Sequence, residues 1–150
     1  MASYVKINDF VEHLAEGTHN LSTAVLTVAL SNTLPSSETS DPSADGNGIL
    51  ANVTQIAYTN LSTRVITTST SGQAGGQYDL VLDDLTLTAS GGAVAAFQYV
   101  YVFNESATVP VDALLCYFDY GSALTLANGE SLTIDFESDG PTTGSLFTLV

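Results

Sequence analysis

The sequence predicts an all-β fold: an antiparallel, jelly-roll-like β-sandwich with one short helix near the amino terminus. Three observations carry the prediction. Short segments of alternating apolar and polar residues recur from residue 24 almost to residue 149. Glycine-rich turn signals, Gly72, Gly75-Gly76 and Gly91-Gly92, punctuate them. Only one segment, near residues 9–16, carries the marks of a helix. At 150 residues the chain is read as a single domain, 1–150. That length buries roughly 68% of the surface its unfolded form exposes, enough for a core without covalent staples.

Residues 1–8 read as a strand or an extended arm. In the helix that follows, Asp9 is placed to cap, Glu12 three residues on completes a capping box, and Gly17 ends it. Its apolar stripe, Phe10, Val11 and Leu14, is too short to stand alone and must pack on a larger body. The next strand, 24–30, sets Leu26, Val28 and Leu30 on one face. Residues 34–48 form a polar loop long enough to be functional or mobile. Strands follow near 52–58, 63–70, 77–82 and 84–89. Phe97-Gln98-Tyr99-Val100-Tyr101-Val102-Phe103 places four aromatics on one face and two valines on the other, the pattern of a central strand covered on both sides. A similar strand spans 113–120. Asn128-Gly129, between Leu124/Leu126 and Leu132/Ile134, is the strongest hairpin signal, since Asn-Gly suits a type I′ turn. Leu132, Ile134 and Phe136 then point inward, Asp139-Gly140-Pro141 turns the chain, and a last strand lies near 146–149. Nine or ten short strands suit a sandwich or barrel, with the strand order left open.

Charge narrows function more than any motif. Sixteen carboxylates face one lysine, Lys6, and one arginine, Arg64, for a formal net charge of −14. Phosphate backbones are bound through clustered Lys and Arg, so nucleic acid is excluded as a partner, and an anionic membrane surface is repelled likewise. Yet only 12% of residues are charged and 45% are hydrophobic, which is not the composition of a disordered acidic tail. The amino terminus lacks the pattern of a secretion signal, and no apolar run approaches the roughly 20 residues that span a bilayer. The expectation is a protein made in the cytoplasm. The Asn-x-Ser/Thr triplets at Asn20, Asn52, Asn60 and Asn104 then read as chance matches. The single cysteine, Cys116, lies in an apolar run and reads as a small core residue.

No constellation supports catalysis, a metal or a cofactor. Asp135 and Glu137 share an outward strand face beside Asp139, which reads as a solvated edge. Asp41-x-Ser43-x-Asp45-Gly46 opens like a calcium loop, but the twelfth position is Asn52 where a bidentate Glu is needed. His13 and His19, the only histidines, are six apart with Gly17 between them, a spacing that does not set them on one helical face. There is no nucleophile elbow and no phosphate-binding loop. The candidate interface residues are Tyr4, Val5, Lys6 and Ile7, an apolar arm bearing one of the two cations, together with Arg64 and the aromatics Phe97, Tyr99 and Tyr101. Arg64 is expected to meet a carboxylate of its own or a neighbouring subunit. Deleting residues 2–7 is expected to spare the fold.

Several segments in fixed order resemble a family of small virion proteins of tailed bacteriophages. They are Phe10-Val-Glu-His-Leu-Ala-Glu-Gly-Thr-His-Asn-Leu21; Leu26-Thr-Val-Ala-Leu-Ser-Asn-Thr33 with Pro35; Leu87-Thr-Ala-Ser-Gly-Gly92; Phe97-Gln-Tyr-Val-Tyr-Val-Phe-Asn104; Phe118-Asp-Tyr-Gly121; and Leu124-Thr-Leu-Ala-Asn-Gly-Glu-Ser-Leu-Thr-Ile-Asp-Phe136. The loop at 34–48 is longer than is usual in that family. The resemblance implies a non-enzymatic head decoration or cement protein without cofactors. It further implies location on the virion head, with the major capsid protein and further copies of itself, as a homotrimer or larger oligomer, for partners. The rival expectation is a tail, neck or fibre module that contacts the host surface or its glycans.

Overall fold

The computed structural model describes residues 2–136 and 145–149. In chain order the elements are β1 (Ser3–Lys6), α1 (Asp9–Ala15), β2 (Leu26–Ser31), β3 (Thr68–Ala74), β4 (Gln77–Leu82), β5 (Leu85–Thr88), β6 (Phe97–Thr108), β7 (Val111–Leu124), β8 (Ser131–Ile134) and β9 (Phe147–Leu149). Two 3₁₀ turns, Pro35–Ser37 and Leu50–Asn52, interrupt the long connection between β2 and β3. All the strand pairs are antiparallel. The fold is an all-β sandwich with one short helix.

The frame is the long hairpin of β6 and β7, turned at Val109 and a cis Pro110. β1 adds to the outer side of β7 and β2 to the outer side of β6, in the order β1-β7-β6-β2. Residues 64–66 continue this sheet: Val28 N–H donates to the Arg64 carbonyl and Ile66 N–H to that of Leu26, at 2.9 and 2.8 Å. Opposed to it are a three-stranded sheet, β3-β4-β9, and a two-stranded sheet, β5-β8. All share one apolar core. Phe118 links the layers, with Tyr4 packed edge-on at 5.7 Å and Phe136 at 5.9 Å between ring centres. Phe10 carries α1 onto β9 through an edge-to-face contact with Phe147 at 5.0 Å. As its pattern predicts, β6 is a central strand, buried from Tyr99 to Asn104.

Three expectations are corrected. The strand expected near 52–58 does not form; Val53 is buried and Ile56 half-buried, and among the described residues the only ladder-like bond there runs from Ile56 N–H to the Leu30 carbonyl at 2.9 Å. Alternation there reports burial and not pairing. The strand expected at 63–70 is divided, since 64–66 lie along β2 while β3 begins at Thr68. Asn128-Gly129 makes a turn, with Glu130 N–H donating to the Ala127 carbonyl at 2.9 Å, but not a hairpin. Only Gly129 has positive φ (90°), the pattern of a type II turn, and β8 leaves to pair with β5 instead of β7. Of the two readings of residues 1–8, residues 3–6 take the strand, at the edge of the sheet beside β7. The expected turn at Asp139-Gly140-Pro141 lies outside the described residues.

Candidate functional site

The amino-terminal segment expected at an interface packs instead on its own subunit. Ile7 is wholly buried and its N–H donates to the Leu115 carbonyl at 3.0 Å. Tyr4 and Val5 are half-buried in the β1–β7 ladder, and only Lys6 is exposed. Burial pushes the Tyr4 hydroxyl pKa well up, with the neighbouring Cys116 adding to it. Cys116 is buried and free, its thiol pushed up by desolvation, as befits a small core residue.

The aromatic row is likewise internal. Phe97 and Tyr101 are wholly buried and Tyr99 nearly so. Tyr101 and Tyr117 pack with ring centres 5.2 Å apart, and Tyr99 meets Tyr117 edge-on at 6.1 Å. The polar loop supplies charge near this face. Burial first, then Tyr117, Glu38 and Asp41, push the Tyr101 hydroxyl pKa up. The loop is pinned by its own side chains. Asp41 Oδ1 accepts from Ser43 N–H at 2.9 Å and from its hydroxyl at 2.6 Å, while the Glu38 carboxylate takes both the N–H and the hydroxyl of Thr54, at 2.8 and 2.7 Å. Asp41 thus closes a turn, as the missing twelfth ligand predicts. These three aromatics, expected at an interface, are consumed inside the subunit because the sandwich needs their volume. Among the described residues the Tyr101 hydroxyl has no hydrogen-bond partner. Tyr101→Phe should therefore leave stability unchanged or raise it by about 1 kcal/mol, read by urea denaturation; a loss above that size would show the hydroxyl to be structural.

Arg64 meets no carboxylate among the described residues. Its guanidinium lies 3.7 Å from the centre of the Tyr58 ring, and Nη1 donates to the Val28 carbonyl. Tyr58 is held in turn, its hydroxyl accepting from Leu30 N–H at 3.0 Å and donating to Gln55 at 2.6 Å. The only arginine is thus a clamp between β2 and the segment before β3.

Two features at α1 depart from sequence expectation. Asp9 is not the helix cap. Asn8 takes that position without a side-chain hydrogen bond, and Asp9 is buried, accepting from Gly46 N–H and Gly48 N–H at 2.8 Å each. The carboxylate ties the polar loop to the helix. Gly48 is required by the close approach, since a Cβ there would stand 2.9 Å from Ile7 Cγ2 and 3.0 Å from Asp9 Cβ. Asp9→Ala should cost about 2–3 kcal/mol, because two amides lose a charged acceptor, and should speed hydrogen exchange at Gly48. Unchanged exchange at Gly48 would refute the clamp.

The second feature is the histidine pair. Gly17, at φ +81°, reverses the chain, and the N–H groups of Thr18 and His19 both return to the His13 carbonyl, at 2.8 and 3.2 Å. The two rings meet edge-on at 5.7 Å, which corrects the separation inferred from their spacing. His19 is buried against Phe10 and Asn104, and burial, then His13, pull its pKa down to about 4. Beside it opens a hollow of about 390 Å³ lined by Leu14, Leu21, Tyr78 and Leu149. Among the described residues no three His, Cys, Asp or Glu side chains converge as a metal site would require. Asp135 is half-buried after β8, while Glu137 and Asp139 lie outside the described residues. No described helix is long and apolar enough to cross a membrane. No family model, curated protein or solved structure matches the chain.

Proposed function

We propose that the chain is a bacteriophage head decoration, or cement, protein that binds the outer shell through non-covalent contacts and performs no catalysis. The observation that supports this reading most is where the phage-like segments fall. They cover most of α1 and its reversal, β2, the end of β5 and the turn after it, β6 from Phe97 to Asn104, part of the second half of β7, and β8, so the resemblance touches both strands of the central hairpin as well as its neighbours. Pinned loops, a short edge strand at β1 and a carboxylate-rich surface fit a component that must stay folded and unaggregated in many copies. With the aromatic row internal, a homotrimer rests on the decoration reading alone and calls for ultracentrifugation at micromolar concentration.

A density map of the virion tests the proposal. Density for this sandwich repeated over the head lattice is the expected result. The same density confined to a ring at the neck or to the tail would replace decoration with the tail or fibre reading.

A further inference from the structure

The tip of the β6–β7 hairpin is the most exposed apolar feature among the described residues. Val109 is 81% exposed and Val111 62%, and the pair flanks Pro110 at one turn. The tip is held in place. Thr18 donates its hydroxyl to the Val109 carbonyl at 3.0 Å, and Val25 N–H donates to the Ser106 hydroxyl at 3.0 Å just below. Hollows open on either side of Val109. One, of about 350 Å³, reaches Glu12, His13 and Gly46; the other, of about 390 Å³, reaches Glu16, Thr18 and Ser106. Glu105 and Asp112 stand on the two strands of the hairpin beneath the tip, and neither Lys nor Arg lines either hollow. Burial, and then the charge of Glu105, push the Asp112 pKa up.

Charge decides what can sit here. Nucleic acid and anionic lipid are repelled by four carboxylates, and a second copy brings the same four. A protein surface with Lys or Arg around an apolar socket satisfies both the valines and the carboxylates. We propose that Val109-Pro110-Val111 is a plug that seats in an apolar socket of a partner protein, whose basic side chains enter the flanking hollows to meet Glu12 and Glu16 and lie beside Glu105 and Asp112 on the hairpin strands. The identity of that partner as the shell protein rests on the decoration reading.

The test uses full-length chain and purified shells stripped of it. The double variant Val109→Ser/Val111→Ser should melt as the wild type does, since both side chains are exposed, yet bind shells at least about tenfold more weakly. Glu12→Gln/Glu16→Gln should weaken binding at low salt and flatten its salt dependence. A serine variant that binds as tightly as wild type overturns the plug and leaves decoration standing. Wild-type affinity indifferent to salt overturns the charged collar. Failure of the wild-type chain to bind shells at all overturns the decoration reading and the plug together.

Discussion

Removing residues 2–7 should unfold the protein or lower its melting temperature by about 15 °C or more. The truncation deletes an edge strand bonded along β7, the edge-on packing of Tyr4 on Phe118, and the whole of Ile7. Loss of a buried isoleucine alone costs about 2–5 kcal/mol. With the ladder and Tyr4 the loss exceeds about 5 kcal/mol, comparable to the entire net stability of many domains. Each kcal/mol moves the midpoint by about 2–4 °C at this size. Scanning calorimetry of the truncated chain beside Lys6→Ala checks it. Lys6→Ala, at an exposed position, should stay within about 0.5 kcal/mol of wild type. A truncated chain that melts like the full one would return residues 2–7 to the role of a dispensable arm.

Acidification should be the second large effect. Folded His19 titrates at about 4, against 6.5 for the unperturbed side chain. Between those values the unfolded chain holds a proton that the folded chain refuses, so stability is full above pH 6.5 and falls as pH drops toward 4. The loss is about 2 kcal/mol by pH 5 and about 3 kcal/mol by pH 4. The raised pKa of Asp112 acts in the opposite sense, since the folded form then binds its proton more readily. The cleanest window is therefore pH 7.5 to 5, above the ordinary carboxylate range. Urea denaturation across that window should show a falling midpoint for wild type and a nearly flat one for His19→Gln. Equal slopes for both chains would remove His19 as the cause.

What the sequence discloses and what it hides divide along the range of the interactions. The β6 segment is legible because both its faces are apolar, and no partner need be known to place such a strand inside. The helix is legible from Gly17, which stops it. Asp9 misleads because a carboxylate at a helix start suits a local cap equally well, and only the fold reveals that Gly46 and Gly48 arrive to claim it. Asn128-Gly129 misleads for a related reason: the dipeptide specifies a turn, while pairing of β8 with β5 is set by distant core contacts such as Leu85 opposite Ile134. The histidine pair is hidden because helical spacing stops applying once Gly17 reverses the chain. The aromatic row is visible as apolar volume, but whether a subunit or its neighbour uses that volume depends on how distant segments of the chain pack, which spacing along one strand does not report.

The pairing of β1 with β7 also governs the order of events during synthesis. Ser3 lies opposite Asp119, so β1 is synthesised long before the strand it pairs with. At roughly 5–20 residues per second it waits on the order of ten seconds as an unpaired apolar ribbon carrying Tyr4, Val5 and Ile7. During that interval nothing local can shelter it, and chaperones or sister nascent chains compete for it. Yield in the cell is then governed by how fast translation runs from β1 to β7 and by what binds the early segment meanwhile, even for a variant whose finished fold is unchanged.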